Sequence, residues 1–383
     1  MTAPALPYST QTIDDDDVAA VAAALRAPFL TQGPTVARFE AGLADYLGAA
    51  HVSACSSGTA ALHLAYLALG IGPGDEVVTS PITFSATAAA ALLCGARVRL
   101  ADVEPDSGLL DVERIARALT PATRAITAVH LAGLPADLTP LRELCDRLGL
   151  WLVEDAAHAL GAEYRGRRIG SGLGHAATFS FHPVKHITTL EGGAVAVTDP
   201  QLKRRIDRLR QHGIERDPAR FERLPAEPWM YEVQELGLNY RLSDVACALG
   251  LSQLAKQAGW LAHRRVLAAR YRQRLTANLP AVEGPVERPE RRSAHHLFPV
   301  RIDFRAAGRT RGEVARGLAA RGIGTQVHYV PLYEQPLYRL HGAGGPLEGA
   351  EIYYQRTLSL PMHHSMSEAD VDRVVDSLAE VLS

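Results

Sequence analysis

Of the 40 residues that are Lys or Arg, only three are lysines: Lys185, Lys203 and Lys256. Lys203, in QLKRRIDRLRQH, and Lys256, in SQLAKQAGWLAHRR, stand in Arg-rich runs with helical spacing and read as parts of solvated faces. Lys185 stands in FSFHPVKHITTLEGG, between the alternating apolar segments AATFSF and GGAVAV. The turn residues Pro183, Gly192 and Gly193 put it at the tip of a strand-loop-strand unit. An arginine there could not give up its proton, whereas a partly desolvated lysine can, and the neutral amine is a nucleophile able to form an imine. Asp155 closes the apolar run LWLVED, a costly place for a carboxylate unless a cation meets it. In HVSACSSGTAALHL a strand gives way to a helix at Gly58, Thr59 and Ala60, where free amides and the helix dipole favour a phosphate, although a serine cap explains the same letters. Phe84 ends EVVTSPITF, and Ser180 offers a hydroxyl just before the lysine loop. An imine-forming amine, an acid for a pyridine nitrogen, an aromatic face and a phosphate cradle are together the parts that pyridoxal 5'-phosphate needs.

The elements that must position these groups alternate. DEVVTS, ARVRLAD, ATRAITAVHL and LWLVEDAAH read as strands, separated by the helical patterns ATAAAALL, DVERIARAL and TPLRELCDRLG. Such alternation predicts a mostly parallel sheet with helices on both faces and ligands at the carboxyl ends of its strands. The four aspartates Asp14 to Asp17 precede a helix whose positive end they complement. Residues 213–234 are rich in Pro, Arg and Glu and predict a long excursion, a lid or an intersubunit arm. A long helix capped by Ser243 then links to a compact α+β unit, in which HHLFPVRID and GTQVHYV read as strands and TRGEVARGLAARG and the stretch from Ser367 to Leu382 as helices. The expected division is a large domain at 1–250, with an N-terminal arm at 1–30, and a small C-terminal domain at 251–383.

Composition narrows the function classes. With 383 residues, 47% hydrophobic and 21% charged, the chain reads as a soluble globular protein of two domains. Its net charge of -2 argues against a nucleic-acid partner. Four scattered cysteines show neither metal-ligand spacing nor a disulfide framework. No apolar run is long enough for a membrane span and no signal pattern opens the sequence, so a cytoplasmic protein is expected. GSGLG at 170–174 lacks the strand-to-helix context of a dinucleotide site.

SSGTAALHL, ITFSATA, EDAAHALGAEY, TFSFHPVKHITTLEGGAV, LGLNYRLSDVACALGLSQL and VHYVPLY, in that order, resemble the DegT/DnrJ/EryC1/StrS nucleotide-sugar aminotransferases, over nearly the whole chain from Leu30 to Leu382. The resemblance implies an α/β fold of the aspartate aminotransferase type (fold type I), a homodimer with active sites at the interface. It implies that Lys185 is the Schiff-base lysine, Asp155 the pyridinium partner and Phe84 the stacking ring. His158 would stand beside the cofactor, Gly58, Thr59, Ala60 and Ser180 would hold its phosphate, and Asn239 would reach the phosphate of the neighbouring subunit. Within the family the motifs look closest to the 4-aminotransferases of the pseudaminic acid pathway, which act on a UDP-linked 4-keto-6-deoxy-N-acetylhexosamine with L-glutamate as donor. Other keto sugars, aminated at C3 or linked to dTDP, are the rival substrates. A dehydratase of the same fold would carry His in place of Lys185, and a non-catalytic cofactor-binding regulator is the rival of another class. Gln32, Arg241, His328 and Tyr329 are expected to read the substrate. Leu190 departs from the family pattern of Gly or Ala before the EGG, and its bulk is expected to narrow the approach to the cofactor.

Overall fold

The computed structural model describes residues 5–223 and 227–383. Its centre is a seven-stranded sheet of β1 (His51–Cys55), β2 (Glu76–Thr79), β3 (Arg97–Leu100), β4 (Thr123–Val129), β5 (Trp151–Asp155), β6 (Ala176–Ser180) and β7 (Gly193–Val197). The spatial order is β1-β7-β6-β5-β4-β2-β3. From β6 to β3 every neighbouring pair is parallel, because helices carry the chain back across the sheet. β7 is antiparallel to both β6 and β1, since only the Lys185 loop joins it to β6. The strands β2, β5 and β7 are almost wholly buried, as a sheet covered on both faces requires. The carboxyl ends of β1, β2, β5 and β6 therefore open on one edge, which brings together four segments far apart in sequence.

The helix Asp244–Asn278 runs unbroken for 35 residues. Its first half, with Ala246, Cys247 and Leu261, belongs to the core of the large sheet, and Leu267, Ala268, Tyr271 and Leu275 belong to a second core. The expected division at 250 thus lies within one continuous helix, and the cores change over between Leu261 and Leu267. The second core covers a small antiparallel sheet of Val282–Glu283, Phe298–Ile302 and Thr357–Leu360, flanked by the helices Arg311–Ala320 and Glu368–Leu382. Chain from this side also returns to the first core through Ala294, Leu297, Leu332 and Tyr338.

One expectation needs correcting. GTQVHYV is not a strand: only Gln326 bridges to Ser359, and residues 326–330 turn to line a cavity. The excursion at 213–234 contains a short hairpin, Ile214–Glu215 against Glu232–Val233, and a 3-10 turn at Pro218–Arg220. Part of it, residues 224–226, lies outside the described residues.

Candidate active site

A cavity of about 820 Å³ opens at the shared strand edge, lined by Gly58, Thr59, Phe84, Asp155, His158, Ser180, Lys185, His328 and Tyr329 among others. Lys185 is half-buried in the loop between β6 and β7, which folds back through Lys185 N–H donating to His182 O. Burial pushes its ammonium down to about 8, and the Asp155 carboxylate opposes that fall. The two other lysines are not free solvated groups, as their runs suggested. Lys203 is paired with Asp207 and Glu40, and Lys256 with Asp14 and Asp17. Among the described residues no ion pair involves Lys185.

Asp155 is 7% exposed at the end of β5. Its Oδ2 accepts from Thr87 Oγ1 at 2.6 Å and its Oδ1 from the Ala157 amide at 3.2 Å. His158, three residues on, shares its Nε2 with the Tyr329 hydroxyl at 3.2 Å, and its buried Nδ1 has no partner among the described residues. Its ring lies 4.4 Å from that of His296, which is 5.3 Å from that of His186. Burial first, then the neighbouring Lys185, holds the His158 imidazole well below its ordinary range. Burial and neighbouring charges do the same to His186 and His296, and burial with Lys185 brings His328 to about 4. At neutral pH these rings are uncharged, so Lys185 faces one acid and a wall of neutral imidazoles.

The cradle lies at the start of the helix Gly58–Ala68, capped by Ser57, whose Oγ accepts from the Ala60 amide at 3.0 Å. The Ala60 N–H is therefore engaged by the cap, and Gly58 and Thr59 line the cavity. A Cβ on Gly58 would come within 2.8 Å of Ser180 Cβ, so only glycine lets the helix start and the Ser180 hydroxyl share one corner. Phe84 is 60% exposed at the mouth, its ring centroid 6.2 Å from that of Tyr329.

The remaining expected contacts divide. His328 and Tyr329 line the cavity, with His328 Nδ1 on Ser359 Oγ at 2.8 Å. Gln32 and Asn239 are exposed and Arg241 is partly covered, all three outside this chain's cavity lining. Leu190 is 62% exposed and does not line the cavity, so it does not narrow it, contrary to expectation. Its backbone φ is +68°, a left-handed position at which a residue without a side chain is unstrained. Several lining residues had no signal in the sequence. Tyr8 comes from the N-terminal arm, pinned by Met362 N–H donating to Tyr8 O. His296 and Tyr338 come from the C-terminal side, the latter bonded to Ser85. Thr83, which lines the cavity, and Thr87, buried behind it on Asp155, were legible only as letters within ITFSATA.

The model of the DegT/DnrJ/EryC1/StrS aminotransferase family matches residues 11–379. The chain belongs to that family. It is 38% identical over 379 residues, 98% of this chain and 97% of the relative, to the UDP-4-amino-4,6-dideoxy-N-acetyl-beta-L-altrosamine transaminase of Campylobacter jejuni. Helicobacter pylori PseC, an aminotransferase involved in the biosynthesis of pseudoaminic acid, superposes with a TM-score of 0.90 at 32% identity, covering 99% of each chain. DesV of S. venezuelae, solved in complex with a ketimine intermediate, gives 0.88 at 36% identity, covering 100% of this chain and 99% of its own. The fold is accordingly type I, and the protein is a sugar aminotransferase.

Proposed function

We propose that this aminotransferase uses pyridoxal 5'-phosphate to move the amino group of L-glutamate to C4 of a UDP-linked 4-keto-6-deoxy-N-acetylhexosamine, as a homodimer with shared sites. The observation that carries the reading is the unpaired, desolvated Lys185 amine in one cavity with a carboxylate at a strand end and a glycine-hydroxyl cradle at a helix start. The residues fit the cofactor: Lys185 would hold its aldehyde, Asp155 its ring nitrogen, Gly58, Thr59 and Ser180 its phosphate, with Phe84 and His158 beside its ring, whereas the Ala60 amide is taken by the Ser57 cap. When bound, it supplies a ring that accepts electrons from the carbon being deprotonated. Lys185, with its ammonium near 8, exists partly as the free amine at physiological pH, so it can take a proton from the donor's α-carbon and later return one at the sugar's C4. Burial makes the imidazoles of His158, His296 and His328 weaker proton acceptors than the Lys185 amine, which favours Lys185 as the proton carrier of the cavity. Gln32, Arg241, His328 and Tyr329 are the proposed substrate contacts, and Asn239 the proposed contact with the cofactor phosphate of the neighbouring subunit. The choice of sugar is supported by the full-length similarity to the Campylobacter transaminase.

Glutamate added alone should bleach the cofactor's visible absorbance and release one equivalent of 2-oxoglutarate, and parallel double-reciprocal lines should follow with both substrates. A panel of UDP- and dTDP-linked 3-keto and 4-keto sugars then decides the acceptor. Preferential turnover of a 3-keto or dTDP-linked sugar would replace the acceptor assignment and leave the aminotransferase intact.

A further inference from the structure

Asp155 does not hold its place alone. An ionised carboxylate can only accept hydrogen bonds, so the 2.6 Å contact requires Thr87 Oγ1 to donate to Asp155 Oδ2. With its hydrogen committed, the Thr87 hydroxyl can only accept in its 2.8 Å contact with Thr83 Oγ1. The chemistry thus gives the chain one direction, from Thr83 through Thr87 to Asp155, in a site where all three side chains are buried. Bonds aligned head to tail in a low-dielectric interior reinforce one another. Thr87 is itself fixed from behind, because its backbone carbonyl accepts from the Tyr66 hydroxyl at 3.1 Å. Tyr66 is anchored in turn on Thr127 Oγ1 at 2.8 Å, and Thr127 lies on β4 beside β5. The helix that carries Thr87, Ala86–Leu93, follows the strand-end loop of Phe84 and also carries no other polar side chain able to reach Asp155.

We infer that Thr87 is a positioning residue for the transamination site: its hydroxyl, oriented by Thr83 and braced by Tyr66, fixes the carboxylate of Asp155 in the attitude that meets the cofactor's ring. The inference rests on Asp155 being the acid that meets pyridoxal phosphate. Without the Thr87 hydroxyl, one oxygen of the carboxylate loses its donor and the side chain keeps only the Ala157 amide, so it can turn away from the ring position. No such effect follows from Thr87 packing, because a valine fills nearly the same space.

The test compares Thr87→Val and Thr87→Ser in the full-length holoenzyme, reading the dissociation constant of pyridoxal phosphate and the steady-state constants for glutamate. Thr87→Val should weaken cofactor binding by about tenfold and lower kcat by about tenfold, with the KM for glutamate little changed. Thr87→Ser should stay within about twofold of wild type, since the hydroxyl is kept. A Thr87→Val enzyme with wild-type cofactor affinity and kcat would overturn the inference, and so would a serine variant as impaired as the valine. Should Thr87→Val fail to fold, Thr83→Val removes the donor one step back. It should weaken cofactor binding about threefold, and unchanged binding would count against the chain. Asp155→Asn, measured in parallel, separates the two layers. If it binds cofactor as well as wild type, the role of Asp155 is wrong, whereas an impaired Asp155→Asn with an unaffected Thr87→Val condemns Thr87 alone.

Discussion

Two lysines in this chain show opposite uses of one side chain. Lys256, on the helix Asp244–Asn278, meets Asp17 Oδ1 at 2.9 Å and also Asp14, where the N-terminal helix Asp15–Leu25 packs against it. Asp17 is fully buried and accepts from Gln253 Nε2 at 2.5 Å as well, so the lysine completes an anchored carboxylate. Its own ammonium is raised above 10.5 because its bonds to Asp14 and Asp17 outweigh burial. Lys185 meets burial that the charge of Asp155 offsets only in part, and falls to about 8. The difference teaches what the low lysine content already suggested: a lysine given carboxylates ties the fold together, and one denied them becomes reactive.

The sharpest way to break this contrast is Lys185→Arg, which keeps the charge but cannot deprotonate. It should lower turnover by about 10³-fold or more while leaving the fold intact, as read by steady-state assay and circular dichroism. Asp155→Asn should follow, with kcat down by about 10²-fold and weakened cofactor binding. Phe84→Ala should weaken cofactor affinity up to about tenfold and leave the melting temperature unchanged, because the ring is already 60% exposed. At the other lysine, Lys256→Met should cost about 1 kcal/mol of stability with kcat untouched, measured by urea unfolding. The pH slopes of the two sites should also be opposite. In the cofactor-free protein the unfolded chain holds a proton on residue 185 that the folded chain has lost between about 8 and 10.5, so that site adds stability as pH rises through this window. The Lys256 contribution is complete below 10.5 and disappears above it, as pH passes the raised folded value. Lys185→Met should therefore flatten the rise in melting temperature, and Lys256→Met the fall. The smallest effect belongs to Leu190→Gly, which should stabilise the loop by under about 1 kcal/mol by relieving a left-handed backbone at φ +68°, with no change in kcat.

Much of the sheet was legible because its strands are short apolar runs between amphipathic helices, and strand ends are where such sheets place chemistry. Asp155, Phe84, Gly58 and Ser180 each stood at a strand end or a helix start and Lys185 at the tip of a loop between two strands, and each lines the cavity. His328 and Tyr329 reach the cavity from a distant segment and were named only through the family resemblance; the other residues that arrive from afar escaped. Tyr8 lies in an arm with no periodic pattern, and His296 sits where HHLFPV announces only a strand. Thr87 looked like one more small residue in an alanine-rich helix, since nothing in the letters says that its hydroxyl faces a carboxylate 68 positions away. GTQVHYV misled because alternating apolar residues can line a cavity as readily as a sheet. The pairings of Lys203 with Glu40 and of Lys256 with Asp14 and Asp17 were hidden for the same reason, since these acids lie far off in the chain, whereas the Lys203 pair with Asp207 is a local contact four residues on.

The central claim is that the amine at position 185 alone carries the cofactor. Borohydride reduction of the purified holoenzyme, followed by digestion and mass spectrometry, reads it directly. A phosphopyridoxyl group on Lys185, with Lys203 and Lys256 unmodified, is the predicted result. A group on either paired lysine, or none on residue 185, would contradict the account.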